Sequence, residues 1–138
     1  MKYDKLRSNL YGAHLIYGEI DLNPTHIISC FFIVEHTDDK EFIKKQAMQL
    51  MIAGCRNFDF FGKKEPLWHL GFDDVDIMLS PNSTLMNVAL TSGWSLLDDF
   101  VEALNLVISV RPIVPIDTYL FYDDRAIYEE VVRQLDAH

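Results

Sequence analysis

Basic residues are scarce in this chain: 12 Lys and Arg stand against 21 Asp and Glu, a net charge of −9. A surface that grips nucleic-acid phosphates needs the opposite balance, so nucleic acid is excluded as a partner. The same balance suits electrostatic steering toward a basic protein. Cysteine is nearly absent. The two present, Cys30 and Cys55, fall in apolar segments rather than in a disulfide spacing pattern, and read as reduced core thiols of a cytoplasmic protein. Long apolar runs are missing as well. The longest, Ile27–Val34, is far short of a bilayer span and contains Ser29 and Cys30. The first residues, MKYDKLRSNLYGAH, lack the apolar core of a signal peptide. No membrane association is expected.

Phosphate-binding motifs are missing too. Neither G-x-G-x-x-G nor G-x-x-x-x-G-K-[ST] follows any expected strand. The clearest strand leads into EHTDD, whose carboxylates would repel a pyrophosphate at the helix start. Metal spacing is equally poor. His14, His26, His36 and His69 are scattered, with no C-x-x-C pair. Asp73, Asp74 and Asp76 lack the glycine and later glutamate of a calcium loop. Neither cofactor nor metal is expected.

What is present suffices for a full core: 49% of residues are hydrophobic and 12% aromatic, which excludes disorder. Residues 1–138 are enough for one domain and too few for two. Residues 1–25 are the hardest to place. A strand around His14–Tyr17, ended by an Asn23-Pro24 turn, would add an edge to the sheet.

The run His26–Val34, apolar on both faces, predicts a central parallel strand. Asp38 followed by Glu41 reads as a capping box for a helix that Gly54 stops. Phe58–Phe61 is a second strand ended by Gly62, and Lys63–Asp74 a helix, with Val75–Leu79 ambiguous. After a Ser80–Ser83 turn, Met86–Leu90 is a third strand; Ser95 with Asp98 caps the next helix. Arg111–Pro115 is a proline-stiffened loop, Thr118–Tyr122 a fourth strand, and Asp124–Leu135 a last helix. This alternation predicts a three-layer α/β sandwich: a mainly parallel sheet of about four strands, helices on both faces.

In such sheets ligands bind beyond the carboxyl ends of the strands. Glu35, His36 and Asp123 fall there, as do Gly62, Thr91, Ser92 and Asp124. A histidine beside carboxylates suits acid–base chemistry, but the same residues serve as helix caps. On a helix Trp68 and His69 diverge by about 100°, so Trp68 reads as an anchor on the sheet and His69 as a surface residue or a carboxylate's partner. Trp94 reads equally as an interface anchor or as a cover for the edge of the core. The acidic clusters Asp38-Asp39, Asp73-Asp74-Asp76, Asp98-Asp99 and Asp123-Asp124 are expected at strand-to-helix junctions or in loops.

The pattern Gly54-Cys55-Arg56, Phe58, Phe61-Gly62, Trp68-His69, Asp73, Asp76-Ile77, with the later Leu90-Thr91-Ser92-Gly93-Trp94, Leu97, Phe100 and Ala103-Leu104-Asn105, resembles a family of small, uncharacterised bacterial α/β domains. The resemblance covers roughly Ile27–Leu135. It implies an α/β fold and brings no activity or catalytic residues.

Small size, acidity and the missing cofactor motif together favour a non-enzymatic protein-binding domain. Its expected type is a bacterial immunity protein or antitoxin that covers a basic, nuclease-like toxin, with Asp73, Asp74, Asp76, Trp94, Asp98 and Asp99 as contact residues. The alternative is a small-ligand-binding protein or hydrolase-type enzyme at the strand-end rim, using Glu35, His36 and Asp123. A third is a subunit that pairs with itself through an edge strand.

Overall fold

The apolar run around Phe31 and Phe32 becomes the third strand of a six-stranded sheet. The computed structural model describes residues 1–22, 27–79, 89–110 and 117–138. The strands are β1 (Asp4–Arg7), β2 (Leu10–His14), β3 (Ile27–Ile33), β4 (Asn57–Phe61), β5 (Leu90–Trp94) and β6 (Asp117–Tyr122). The helices are α1 (Lys40–Ile52), α2 (Glu65–Leu79), α3 (Leu97–Ser109) and α4 (Arg125–Asp136). Across the sheet the order is β1-β2-β6-β3-β4-β5. All neighbours are parallel except β1, which runs antiparallel to β2.

Strand alternation explains the layers. Cys30 and Phe32 of β3 point into a core shared with α1 and α2, while Phe31 and Ile33 point into one shared with α3 and α4. The first core is aromatic at its centre. Phe32 meets Phe60 and Phe121 at 5.2 Å, Trp68 at 5.3 Å and Phe72 at 5.4 Å between ring centroids. Burying each such ring stabilises the fold by roughly 1.5–3 kcal/mol. Trp68 is fully buried as anticipated, and its indole N–H donates to Thr37 O at 2.8 Å. Both cysteines are buried free thiols, and burial pushes the Cys30 thiol up from its ordinary range. Gly71 brings α1 and α2 together: a Cβ there would sit 2.8 Å from Ile43 Cγ2. Gly54 (φ 104°) ends α1 as expected, and Gly62 (φ 125°) turns the chain against Val34 O.

The sheet thus has six strands rather than about four, and it is mixed. The expected strand at His14–Tyr17 lies earlier, at Leu10–His14, and is interior; Leu15–Tyr17 is a 3-10 turn in which His14 Nδ1 accepts from the Ile16 N–H at 3.0 Å. Pairing with β6 on one side and β1 on the other selected the Leu10 register, which places Leu10 in one core and Ala13 in the other. The edge strand is the more polar Asp4–Arg7. The third predicted strand, Met86–Leu90, is displaced to Leu90–Trp94, with residues 86–88 outside the described part. Among the described residues this strand pairs on one side only, so a largely exposed Thr-Ser-Gly stretch serves and apolarity is no guide.

The ambiguous Val75–Leu79 continues α2, which places Asp73, Asp74 and Asp76 inside a helix rather than at a junction. Caps also differ. Asp39, not Asp38, accepts from Glu41 N–H (3.0 Å) and Phe42 N–H (3.2 Å), and α3 begins after Leu96 with no side-chain cap from Ser95. Asp124 does cap α4, accepting from Ile127 N–H at 3.0 Å. His26 and the segments Asn23-Pro24, Ser80–Ser83 and Arg111–Pro115 lie outside the described residues.

Candidate partner-binding face

Helical spacing puts Glu65, His69 and Asp73 on one stripe of α2, and that stripe lies over β5. His69 Nδ1 is 3.3 Å from Glu65 Oε1, and its Nε2 is 2.9 Å from Thr91 Oγ1 and 3.4 Å from Asp73 Oδ2. The Thr91 hydroxyl donates to Asp73 Oδ1 at 2.6 Å. The His69 ring also stacks over Phe60 at 6.1 Å. Three residues further along the helix, Asp76 Oδ1 accepts from the Ala89 N–H at 3.1 Å, just before β5 begins. Of the two roles expected for His69, surface residue or carboxylate's partner, it takes the second, with Glu65 and Asp73 both within reach. These half-exposed contacts contribute only tenths of a kcal/mol each. Together they fix α2 along the last strand. Gly93 makes room for them, since a Cβ there would strike Glu65 Oε1.

On the opposite face of β5, the Trp94 indole N–H donates to Asp59 Oδ1 at 2.9 Å. Burial pushes the Asp59 carboxyl up from its usual range, and the indole hydrogen bond opposes that rise. Trp94 is half-buried against the core of α3 and α4, so part of its ring area is already used in packing. Asp98 and Asp99 stand exposed in the first turn of α3, just beyond the end of β5, where the helix dipole favours them.

Of the six residues read as contacts, Asp73, Asp76, Trp94, Asp98 and Asp99 therefore gather around β5. Asp74 does not. It lines a groove of about 650 Å³ between α1 and α2, shared with Lys44 and Lys45. Sequence reasoning missed Glu65, although its i, i+4, i+8 spacing with His69 and Asp73 was readable. It also placed Thr91 on a rim rather than beneath α2.

The rim residues do come together, at the ends of the adjacent strands β3 and β6. Helices α1 and α4, which follow those strands, lie on opposite faces, so this is where the winding reverses. The Asp123 carboxylate accepts from three consecutive backbone N–H groups, those of Glu35 (2.7 Å), His36 (2.9 Å) and Thr37 (2.7 Å). Three such N–H groups form an anion-binding nest, here filled by the chain's own carboxylate. His36 Nε2 meets Asp124 Oδ2 at 2.9 Å, and Glu35 Oε2 accepts from the Lys63 N–H at 3.3 Å. The Asp124 carboxyl is held below its usual range first by the Ile127 N–H and then by His36. Every carboxylate of this rim is thus engaged in fastening loops.

Among the described residues, no group of His, Cys, Asp and Glu side chains is arranged to hold a metal ion, and no helix is long and apolar enough to cross a membrane. No family model, curated protein or solved structure matches the chain.

Proposed function

We propose that the protein is a non-enzymatic protein-binding domain of the immunity or antitoxin type, which neutralises a basic partner. The observation that carries this reading is the gathering of Asp73, Asp76, Asp98 and Asp99 around β5, which pairs with β4 alone among the described residues, in a chain of net charge −9. Carboxylates so placed accelerate encounter with a positive surface and set its orientation. Half-buried Trp94 supplies an aromatic anchor at the same strand end.

Affinity capture from lysate of the source cells, at low and at moderate salt, tests the proposal. A single basic protein should be retained at low salt and released as salt rises. The variant with Asp73, Asp76, Asp98 and Asp99 replaced by Asn should lose it. Retention unchanged by salt and by these substitutions overturns the reading.

A second reading, a small-ligand or hydrolase-type site at the rim, is favoured by the convergence of Glu35, His36 and Asp123 where the winding reverses. It requires Asp123 to release its three backbone N–H groups. A ligand that raises the melting temperature of the protein, and fails to do so for His36→Ala, would support it.

A further inference from the structure

Among the described residues the edge strand β5 has one open side. Among the described residues β5 pairs with β4 alone, in unbroken parallel register from Leu90 to Trp94. In a parallel strand the N–H and C=O of one residue point to the same side, and successive residues alternate. Leu90 N–H donates to Arg56 O at 2.6 Å, which turns Leu90, Ser92 and Trp94 toward β4. The backbone N–H and C=O of Thr91 and Gly93 therefore face outward. The strand itself carries no charge, no proline and no bulge, and Leu90 is 66% exposed.

We infer that β5 takes an extended basic segment of the partner as a seventh strand; this rests on the protein-binding reading and specifies its mode. Strand addition draws affinity from the main chain and specificity from alternate side chains. The two sides of β5 differ in the way such alternation requires. Toward α2 the incoming side chains meet Asp73, 46% exposed, with Glu65 behind it. Toward the other face they meet Leu90 and the edge of Trp94. A strand whose Lys or Arg alternate with apolar residues satisfies both, and Asp98 and Asp99 receive a basic residue at its end. Charge argues against a second copy in this place. Two chains paired on a twofold axis would bring the same carboxylates together, at −9 each.

The probe is a seven-residue peptide of alternating arginine and valine, acetylated and amidated. Its control has the same sequence N-methylated at every second residue, in both possible phases. N-methylation keeps the charge and removes the donors a new strand needs. With the peptide at saturation, amide exchange at Thr91 and Gly93 should slow by about tenfold or more, and one N-methylated phase should abolish this. Binding that leaves those two amides unprotected, or that both N-methylated phases reproduce, overturns strand addition and leaves the acidic face standing. No binding by the basic peptide at low salt overturns the inference as stated. Protection of Thr91 and Gly93 without peptide, in a dimer seen by sedimentation, would assign the edge to a second copy and overturn it too.

Discussion

The two edges of the sheet answer the same hazard in opposite ways. An exposed edge strand offers unpaired backbone groups to any other chain, and proteins blunt it with charge, bulges or cover. Strand β1 is blunted from within. It carries Asp4, Lys5 and Arg7, its register breaks between Lys5 and Arg7, and Arg7 is tied to the end of α4 through Leu135 O at 2.7 Å. Strand β5 is neutral and regular, and its guards stand beside it on α2 and α3. Charge of both signs inside a strand disfavours a like-charged neighbour and keeps the edge solvated. Charge beside a strand repels copies of itself and admits a basic chain. On the proposed reading, the comparison separates an edge that is closed from one that is selective.

Removing the aromatic support beneath β4, the strand on which β5 pairs, should have the largest effect. Phe72→Ala empties a fully buried site against Phe58 and Phe60 and should cost about 3–5 kcal/mol in urea unfolding. Leu6→Ala in β1, only half-buried, should cost about 1–2 kcal/mol. Equal losses would mean that both ends of the sheet depend alike on core packing.

Glycines sharpen the contrast next. In β2 a Cβ at Gly12 runs into the Tyr128 ring, which is stacked on Tyr122 at 3.8 Å and has no room to move. Gly12→Ala should cost about 1–3 kcal/mol by overpacking. Gly93→Ala in β5 meets the end of the Glu65 side chain, which can rotate away, and comes within 3.2 Å of His69 Nδ1. It should cost under about 1 kcal/mol. Calorimetric melting of the two variants checks the order.

Acidity separates two carboxylates, one at each half. Asp124 has a depressed folded pKa, so its contribution is full above the ordinary carboxylate range and is lost as pH falls through the folded value. Asp124→Ala should cost about 1 kcal/mol at pH 7, and the difference from the wild type should shrink on acidification. Asp59 has a raised folded pKa, so the sign reverses: its buried charge costs stability at neutral pH, and protonation relieves that cost as pH falls. Asp59→Asn, which keeps an acceptor for Trp94, should stabilise at pH 7 and lose that advantage below the ordinary Asp range. Melting temperature against pH for both variants tests the opposed slopes. The smallest effect is expected on β1 itself. Lys5→Val should change stability by no more than about 0.5 kcal/mol yet raise self-association in sedimentation, because it removes an edge charge.

Much of the frame was legible in the residues. The α/β alternation, the buried central strand, the stop at Gly54, the anchoring role of Trp68 and the buried cysteines all follow from local pattern and propensity. Positions beyond that were misread where a neighbour distant in sequence decides. Leu10–His14 became interior because β6 returns beside it, after α3 has carried the chain back across the sheet. Thr91 and Gly93 entered a strand because β4 offered them a register. Asp39 displaced Asp38 as a cap because the chain's direction out of β3 put its carboxylate within reach of two N–H groups.

By itself, the sequence determined the sign of the surface, the composition of the core and which segments coil or extend, since these depend on side-chain chemistry and on spacings of a few residues. Tertiary structure decided which carboxylates stand together and which are consumed. Asp123 became a loop fastener, and Asp73 and Asp76 became neighbours of an open strand. Such groupings depend on strand order, and strand order is fixed by the burial of both sheet faces at once rather than by any single segment.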